Sequence, residues 1–138
     1  MSDERLDGAR VLIVDDEQDV RDSVNVAFMA EGAETMAVGD GNAAVDAAIA
    51  YEPDLVVLDV MLPGRSGFLA LEKIKGREDS PLVIMITANE GKRHKAYAES
   101  LGVDAYLFKP VPLETLIDKA QELIAARSSS SSENTSEG

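Results

Sequence analysis

Cysteine and tryptophan are both absent from the 138 residues. Without cysteine there can be no disulfide, no thiolate nucleophile and no cysteine–metal site, which fits a reducing compartment and makes the cytoplasm the expected location. Aromatic residues are scarce, three Phe and three Tyr, so the core must be aliphatic. Basic residues are few, 13 against 26 acidic ones, and the formal net charge of −13 repels a phosphate backbone. Direct binding to nucleic acid is therefore not expected. No apolar run approaches the ~18 residues of a membrane span, and the charged start Met1-Ser2-Asp3-Glu4-Arg5 has no apolar signal region, so neither a membrane nor export is expected. What remains is one domain, long enough to bury well over half of its unfolded surface.

Against that background four short apolar runs stand out: Val11-Leu12-Ile13-Val14, Leu55-Val56-Val57-Leu58, Leu82-Val83-Ile84-Met85-Ile86 and Tyr106-Leu107-Phe108. Near-continuous runs of this length read as strands buried on both faces of a parallel sheet. A weaker, more polar strand over 33–38 suits a sheet edge. Helical periods separate the strands: Val20, Val24, Ala27 and Phe28, stopped by Gly32; Ala44, Val45, Ala48 and Ile49, closed before Pro53; Phe68, Leu71 and Ile74; a fourth from Lys92 to Leu101, ended by Gly102. The fifth is the clearest stripe, Leu113, Leu116, Ile117, Ala120 and Ile124. Five βα units with right-handed crossovers give a three-layer α/β doubly wound sandwich. Residues 1–8 read as an N-terminal extension and 9–127 as the domain. The serine-rich stretch 128–138 cannot bury apolar surface and is expected to be a disordered tail.

Each apolar run ends in a residue with chemistry to offer: Asp15 and Asp16, Asp59, Thr87, Lys109. In an open parallel sheet all strand C-ends lie along one edge, where ligands bind, so these five should converge. One acid after a strand is often a helix cap, and one threonine or aspartate at a strand end is often only structural. Two adjacent carboxylates are harder to explain that way, because a pair ~5 Å apart costs about 3 kcal/mol at an effective dielectric near 20. With Asp59 added and only Lys109 opposing, a cation is the natural relief. An all-oxygen donor set favours Mg²⁺, with Mn²⁺ as an alternative, over zinc. Lysine directly after a buried strand needs a partner, and the following Pro110 makes a cis bond plausible.

Val11-Leu12-Ile13-Val14-Asp15-Asp16-Glu17, Leu58-Asp59 with Pro63-Gly64 and Gly67, Ile86-Thr87-Ala88, Gly102 and Tyr106-Leu107-Phe108-Lys109-Pro110 resemble, in type and spacing, the receiver domain of bacterial two-component response regulators, over about residues 9–126. The resemblance implies a flavodoxin-like receiver fold with strand order 2-1-3-4-5. It makes Asp59 the phosphoacceptor, with Asp16 and the Met61 backbone carbonyl as further Mg²⁺ ligands and Asp15 acting through bound water. Thr87, Ala88 and Lys109 would contact the phosphoryl oxygens, Tyr106 would be the switch aromatic, and Met61 and Asn89 would tune the lifetime of the phosphorylated state. The donor would be a sensor histidine kinase or a histidine phosphotransfer protein in a phosphorelay. The domain would catalyse only its own phosphorylation and dephosphorylation, so it is not expected to be an enzyme acting on free substrate.

Departures from the family pattern are small: Val111-Pro112 follows Lys109-Pro110 where many receivers place Phe. A flavodoxin-type electron carrier would need a Ser/Thr/Gly-rich loop after the first strand, where this chain has Asp-Asp-Glu. A phosphatase with an aspartyl nucleophile should carry a second Asp two residues on, where this chain has Met61. Against a binding module that keeps the fold but signals without phosphorylation stands the intact set Asp15, Asp16, Asp59, Thr87 and Lys109, and phosphate incorporation at Asp59 decides between the two. If the chain is complete, with no DNA-binding or catalytic output domain after residue 127, it is expected to act in trans on a partner protein or through self-association. The expected output face is helix 4, strand 5 and helix 5, with Tyr106 turning inward behind Thr87. Gly91-Lys92-Arg93-His94-Lys95 reads either as a solvated helix face, His94 included, or as a docking patch for an acidic surface.

Overall fold

The computed structural model describes residues 5–88 and 92–137, Lys92 and the last ten of these by backbone alone. Five strands, β1 (Arg10–Val14), β2 (Glu34–Val38), β3 (Leu55–Asp59), β4 (Leu82–Thr87) and β5 (Ala105–Phe108), alternate with five helices. The helices are α1 (Gln18–Ala30), α2 (Gly41–Tyr51), α3 (Gly67–Lys75), α4 (Lys92–Ser100) and α5 (Leu113–Glu137). All strands are parallel, in the order β2-β1-β3-β4-β5. The expected fold and strand order are both present.

Successive strand residues point to opposite faces, and the aliphatic runs supply both. Val11, Ile13, Val57 and Ile84 pack under Phe28 of α1 and Leu116, Ile117 and Ala120 of α5. Leu12, Val56, Leu58 and Met85 pack under Ala44 of α2, Leu71 and Ile74 of α3 and Ala98 of α4. All five residues of β3 are buried, whereas β2 mixes exposed and half-buried positions, as an edge strand can; β5, expected to be buried on both faces, buries only Tyr106, because it is the other edge of the sheet. Side-chain caps fix two helix starts: the Asp40 carboxylate accepts the Ala43 amide at 2.7 Å, and the Ser66 hydroxyl accepts that of Leu69 at 3.3 Å.

Two expectations change at the chain ends. The helix α5 continues through Glu137, so a helix replaces the disorder expected over 128–137. Once a helix is nucleated, each added residue gains a backbone hydrogen bond without a new nucleation cost. In the N-terminal extension, Arg5 and Leu6 are docked, while Asp7 and Gly8 are exposed. Leu6 is buried in the core, and Arg5 reaches Glu31 at the end of α1 (3.2 Å) and Glu114 and Asp118 of α5 (3.0 and 2.7 Å). A leucine six residues into the chain carried no periodicity by which its burial could be read.

Candidate functional site

Strand register brings the chemistry together. Asp59 lies opposite Ile86 and Thr87 opposite Phe108, so the C-ends of β3, β4 and β5 are level. The Lys109 amide donates to the Thr87 carbonyl at 2.7 Å, which fixes where the lysine leaves the sheet, and the Lys109–Pro110 bond is cis. From there its ammonium lies 3.1 Å from Asp59 Oδ2, 3.3 Å from Asp15 Oδ2 and 3.8 Å from Glu17 Oε1. Asp15 and Asp59 are 1% and 4% exposed and Thr87 is fully buried, while Asp16 faces solvent.

The loops hold these groups in place. The Met61 amide donates to Asp59 Oδ1 at 3.2 Å, so one Asp59 oxygen faces the loop and the other faces Lys109. The Glu17 amide donates to Asp15 Oδ1 at 3.0 Å, and the Arg21 guanidinium donates to the Asp15 carbonyl at 2.9 Å. Burial pushes the Asp59 carboxyl above the ordinary value of 3.8, and the Asp15 charge pushes it further; Lys109 only partly offsets them. For Lys109, burial acts downward, yet Asp59 and Asp15 together carry the ammonium above its ordinary 10.5. A buried acid held toward neutrality beside a strengthened cation is a site short of positive charge.

Carboxylate oxygens of Asp15, Asp16 and Asp59 all lie within 4.8 Å of one another. Three hard oxygen donors at that spacing, two buried and one open to water, fit a small divalent cation that keeps part of its hydration, as Mg²⁺ does. The donors suit the expected ion. Ala88 sits exposed just past Thr87, and the Met61 side chain is 67% exposed. Asn89 lies outside the described residues.

Two expected details differ. Tyr106 is already turned inward, 7% exposed, with its ring 5.5 Å from that of Phe108 in an edge-on contact. Burial raises its phenol against a smaller opposing pull from the Thr87 side chain, so the two groups are neighbours. No hydrogen bond of ordinary geometry reaches the Tyr106 oxygen among the described residues. The ring thus already holds the inward orientation that was expected only after phosphorylation. His94 is likewise not a free surface side chain. It stacks on Phe68 of α3 at 5.7 Å with its Nδ1 buried, and Tyr97 packs edge-on to the same ring at 5.2 Å. The sequence reading assigned no role to Glu17 or Arg21; the run Asp15-Asp16-Glu17 was the available signal for the first, and nothing local marked the second.

The family model for the response regulator receiver domain matches residues 11–121, and the chain belongs to that family. Its fold is similar to that of the Francisella response regulator 1452 receiver domain, at 25% identity and a TM-score of 0.80, covering 88% of this chain and 99% of that one. A CheY-like receiver domain protein from Methanospirillum hungatei JF-1 is 26% identical with a TM-score of 0.85, covering 88% and 98%. The chemotaxis response regulator CheY4 of Vibrio cholerae is 27% identical with a TM-score of 0.77, covering 83% and 97%. Among the described residues no helix is long and apolar enough to cross a membrane.

Proposed function

We propose that this receiver domain takes a phosphoryl group on Asp59 from a partner's phosphohistidine, or from a small acyl phosphate, and signals in that state to another protein in the cytoplasm. The observation that carries the reading is the single ammonium of Lys109 set 3.1 Å from a buried Asp59 carboxylate inside a three-carboxylate cluster. An Asp59 oxygen attacks phosphorus, the bond from phosphorus to the donor's leaving atom breaks, and the electron pair departs with the donor. Lys109 would neutralise charge on one phosphoryl oxygen, and the Thr87 hydroxyl would meet another. Asp16, Asp59 and the Met61 carbonyl would hold Mg²⁺, with Asp15 acting through water. The ion would supply the charge neutralisation that one lysine cannot.

The domain modifies only itself, so it is not an enzyme in the ordinary sense. A cavity of about 650 Å³ beside Lys109, walled by Val20, Val24, Pro110, Val111 and Leu116, supports the partner reading by offering an apolar hold next to the acceptor. The output would pass through Thr87 to the packed Tyr106 and the face of α4, β5 and α5. The deciding experiment is incubation with acetyl phosphate and Mg²⁺ followed by intact mass and peptide mapping. One added phosphoryl on Asp59 is expected, and equal labelling of Asp59→Asn would overturn the assignment.

A further inference from the structure

The turn from β2 into α2, Gly39-Asp40-Gly41-Asn42, contributes nothing to the acidic cluster, yet it touches both loops that do. Toward the first loop, the Val38 carbonyl accepts the Asp15 amide at 3.2 Å. The Arg21 guanidinium, which donates to the Asp15 carbonyl, lies where a Cβ on Gly39 would come within 2.9 Å of it. Toward the second loop, the Gly41 amide donates to the Pro63 carbonyl at 3.1 Å. A Cβ on Gly41 would overlap the Arg65 carbonyl oxygen and come within 2.6 Å of its carbon and 2.7 Å of the Arg65 Cβ. Only hydrogen fits there.

The same loop is pinned at its other end. The Gly67 amide donates to the Val60 carbonyl at 2.8 Å, and a Cβ on Gly67 would overlap the Asp59 carbonyl oxygen. Between the two pins the Met61 amide holds Asp59 Oδ1. The orientation of the acceptor carboxylate is therefore set from inside a loop whose seat is Gly41, on a different βα connection. The two glycines of the turn differ in kind. Gly39 faces the end of a flexible arginine side chain, which can move aside, whereas Gly41 faces backbone, which moves only with the whole loop.

We propose that Gly41 is a positioning residue for phosphoryl transfer. Its missing side chain lets the loop after β3 seat on the turn after β2, and that seat keeps the Asp59 carboxylate aligned with Asp15 and Lys109. The inference rests on Asp59 being the phosphoacceptor. An alanine at position 41 pushes the Arg65 carbonyl, and with it the Met61 backbone, while touching no reacting group.

The test compares wild type, Gly41→Ala, Gly39→Ala and Gly102→Ala, each well below its melting temperature. Asp59 labelling is followed against acetyl phosphate concentration, and Mn²⁺ binding by electron paramagnetic resonance. For Gly41→Ala the rate at saturating donor should fall between about 10- and 100-fold, as misplacement of a reacting group by ~1 Å does. Its Mn²⁺ affinity should fall by about tenfold, as when a group supporting metal ligands is lost. Gly39→Ala should lose far less, because only the arginine end must yield. Gly102 has φ of 96° far along the chain in the turn after α4, so Gly102→Ala should lower the melting temperature without slowing labelling.

Wild-type kinetics and metal affinity in folded Gly41→Ala overturn the proposal, and so does equal slowing in Gly102→Ala. If Gly41→Ala does not fold, amide hydrogen exchange on wild type decides: Mg²⁺ should slow exchange at Gly41 in step with Met61, and an unaltered Gly41 amide overturns the seat. A wild type that never labels Asp59 overturns both this inference and the reading beneath it, whereas equal labelling of wild type and Gly41→Ala overturns this one alone.

Discussion

Lys109 and Asp59 meet as an ion pair at 3.1 Å across 50 residues of sequence, and both partners titrate above their ordinary values. The lysine is held charged by two acids, yet it leaves one of them partly uncompensated.

That imbalance fixes the sign of a pH effect. A carboxyl whose folded pKa is raised contributes stability below its unfolded value, near 3.8, and loses it as pH rises through the folded value. Lys109 is charged throughout this range, since its raised pKa matters only above 10.5. In metal-free buffer the melting temperature of Asp59→Asn minus that of wild type should therefore grow from pH 3 toward neutrality. Each unit of pKa displacement corresponds to about 1.4 kcal/mol. A difference that stays flat across that range would show that burial and the Asp15 charge do not act as described.

Mg²⁺ should relieve the same imbalance. At 100 times its dissociation constant a ligand bound only to the folded state stabilises by about 2.7 kcal/mol, so the melting temperature should rise on adding Mg²⁺ and return with a chelator. Asp16→Asn, which alters an exposed side chain, should lose most of that rise. Without metal it should melt no lower than wild type, because a like charge has been removed. An undiminished Mg²⁺ shift in Asp16→Asn would remove that carboxylate from the ligand set.

The lifetime of the phosphorylated state should depend on Met61. Its amide orients Asp59 while its side chain is 67% exposed beside that contact. An apolar side chain cannot orient an attacking water by a strong hydrogen bond. Met61→Asn keeps the backbone contact and adds such a group, so dephosphorylation should quicken about two- to tenfold, the rate equivalent of one ordinary hydrogen bond. Decay of the purified phosphoprotein, followed by intact mass, gives the answer, and equal or slower decay defeats the idea.

For the output, Arg93 and Lys95 are exposed on α4 in a chain of net charge −13. A partner or second copy using this patch should bind more weakly as salt rises. Reversing Lys92 and Arg93 to Glu should weaken it by at least about tenfold, since like charges across an interface repel. Asp59 should still label normally in that double variant. Binding at wild-type strength would move the output surface elsewhere.

The central strands β1, β3 and β4 and the residues at their ends were legible for one reason, and the apolar run of β5 led to Lys109 in the same way although that edge strand is only partly buried. A strand buried on both faces must be aliphatic throughout, so a polar residue at its end marks where the core stops and the sheet edge begins. Asp15, Asp59, Thr87 and Lys109 all sit at that boundary, and Asp16 follows by adjacency. Gly41 was not legible as a contact, because it meets the site through the approach of two separate loops, which leaves no local period; Glu17 was marked only by its place in Asp15-Asp16-Glu17, and nothing local marked Arg21. Tyr106 was legible as an aromatic but not in its orientation, which depends on how Phe108 and Thr87 pack around it. His94 looked like part of a charged run, and only the folded chain places Phe68 beneath it. The serine-rich end lacks any stripe, and its helix is a continuation of α5 rather than a property of its own residues.

Arg5 ties the end of α1 and two positions on α5 through one guanidinium, with Leu6 sunk beside it. On the opposite flank, among the described residues α4 sends only Ala98 fully into the core, and it leans on Phe68 through two ring contacts. The molecule thus has a braced side and a compliant one. A visitor gripping the α1–α5 side meets a surface already in its final shape, so little ordering is needed on arrival. The α4 side has fewer such ties, so a partner bound there has less packing to disturb.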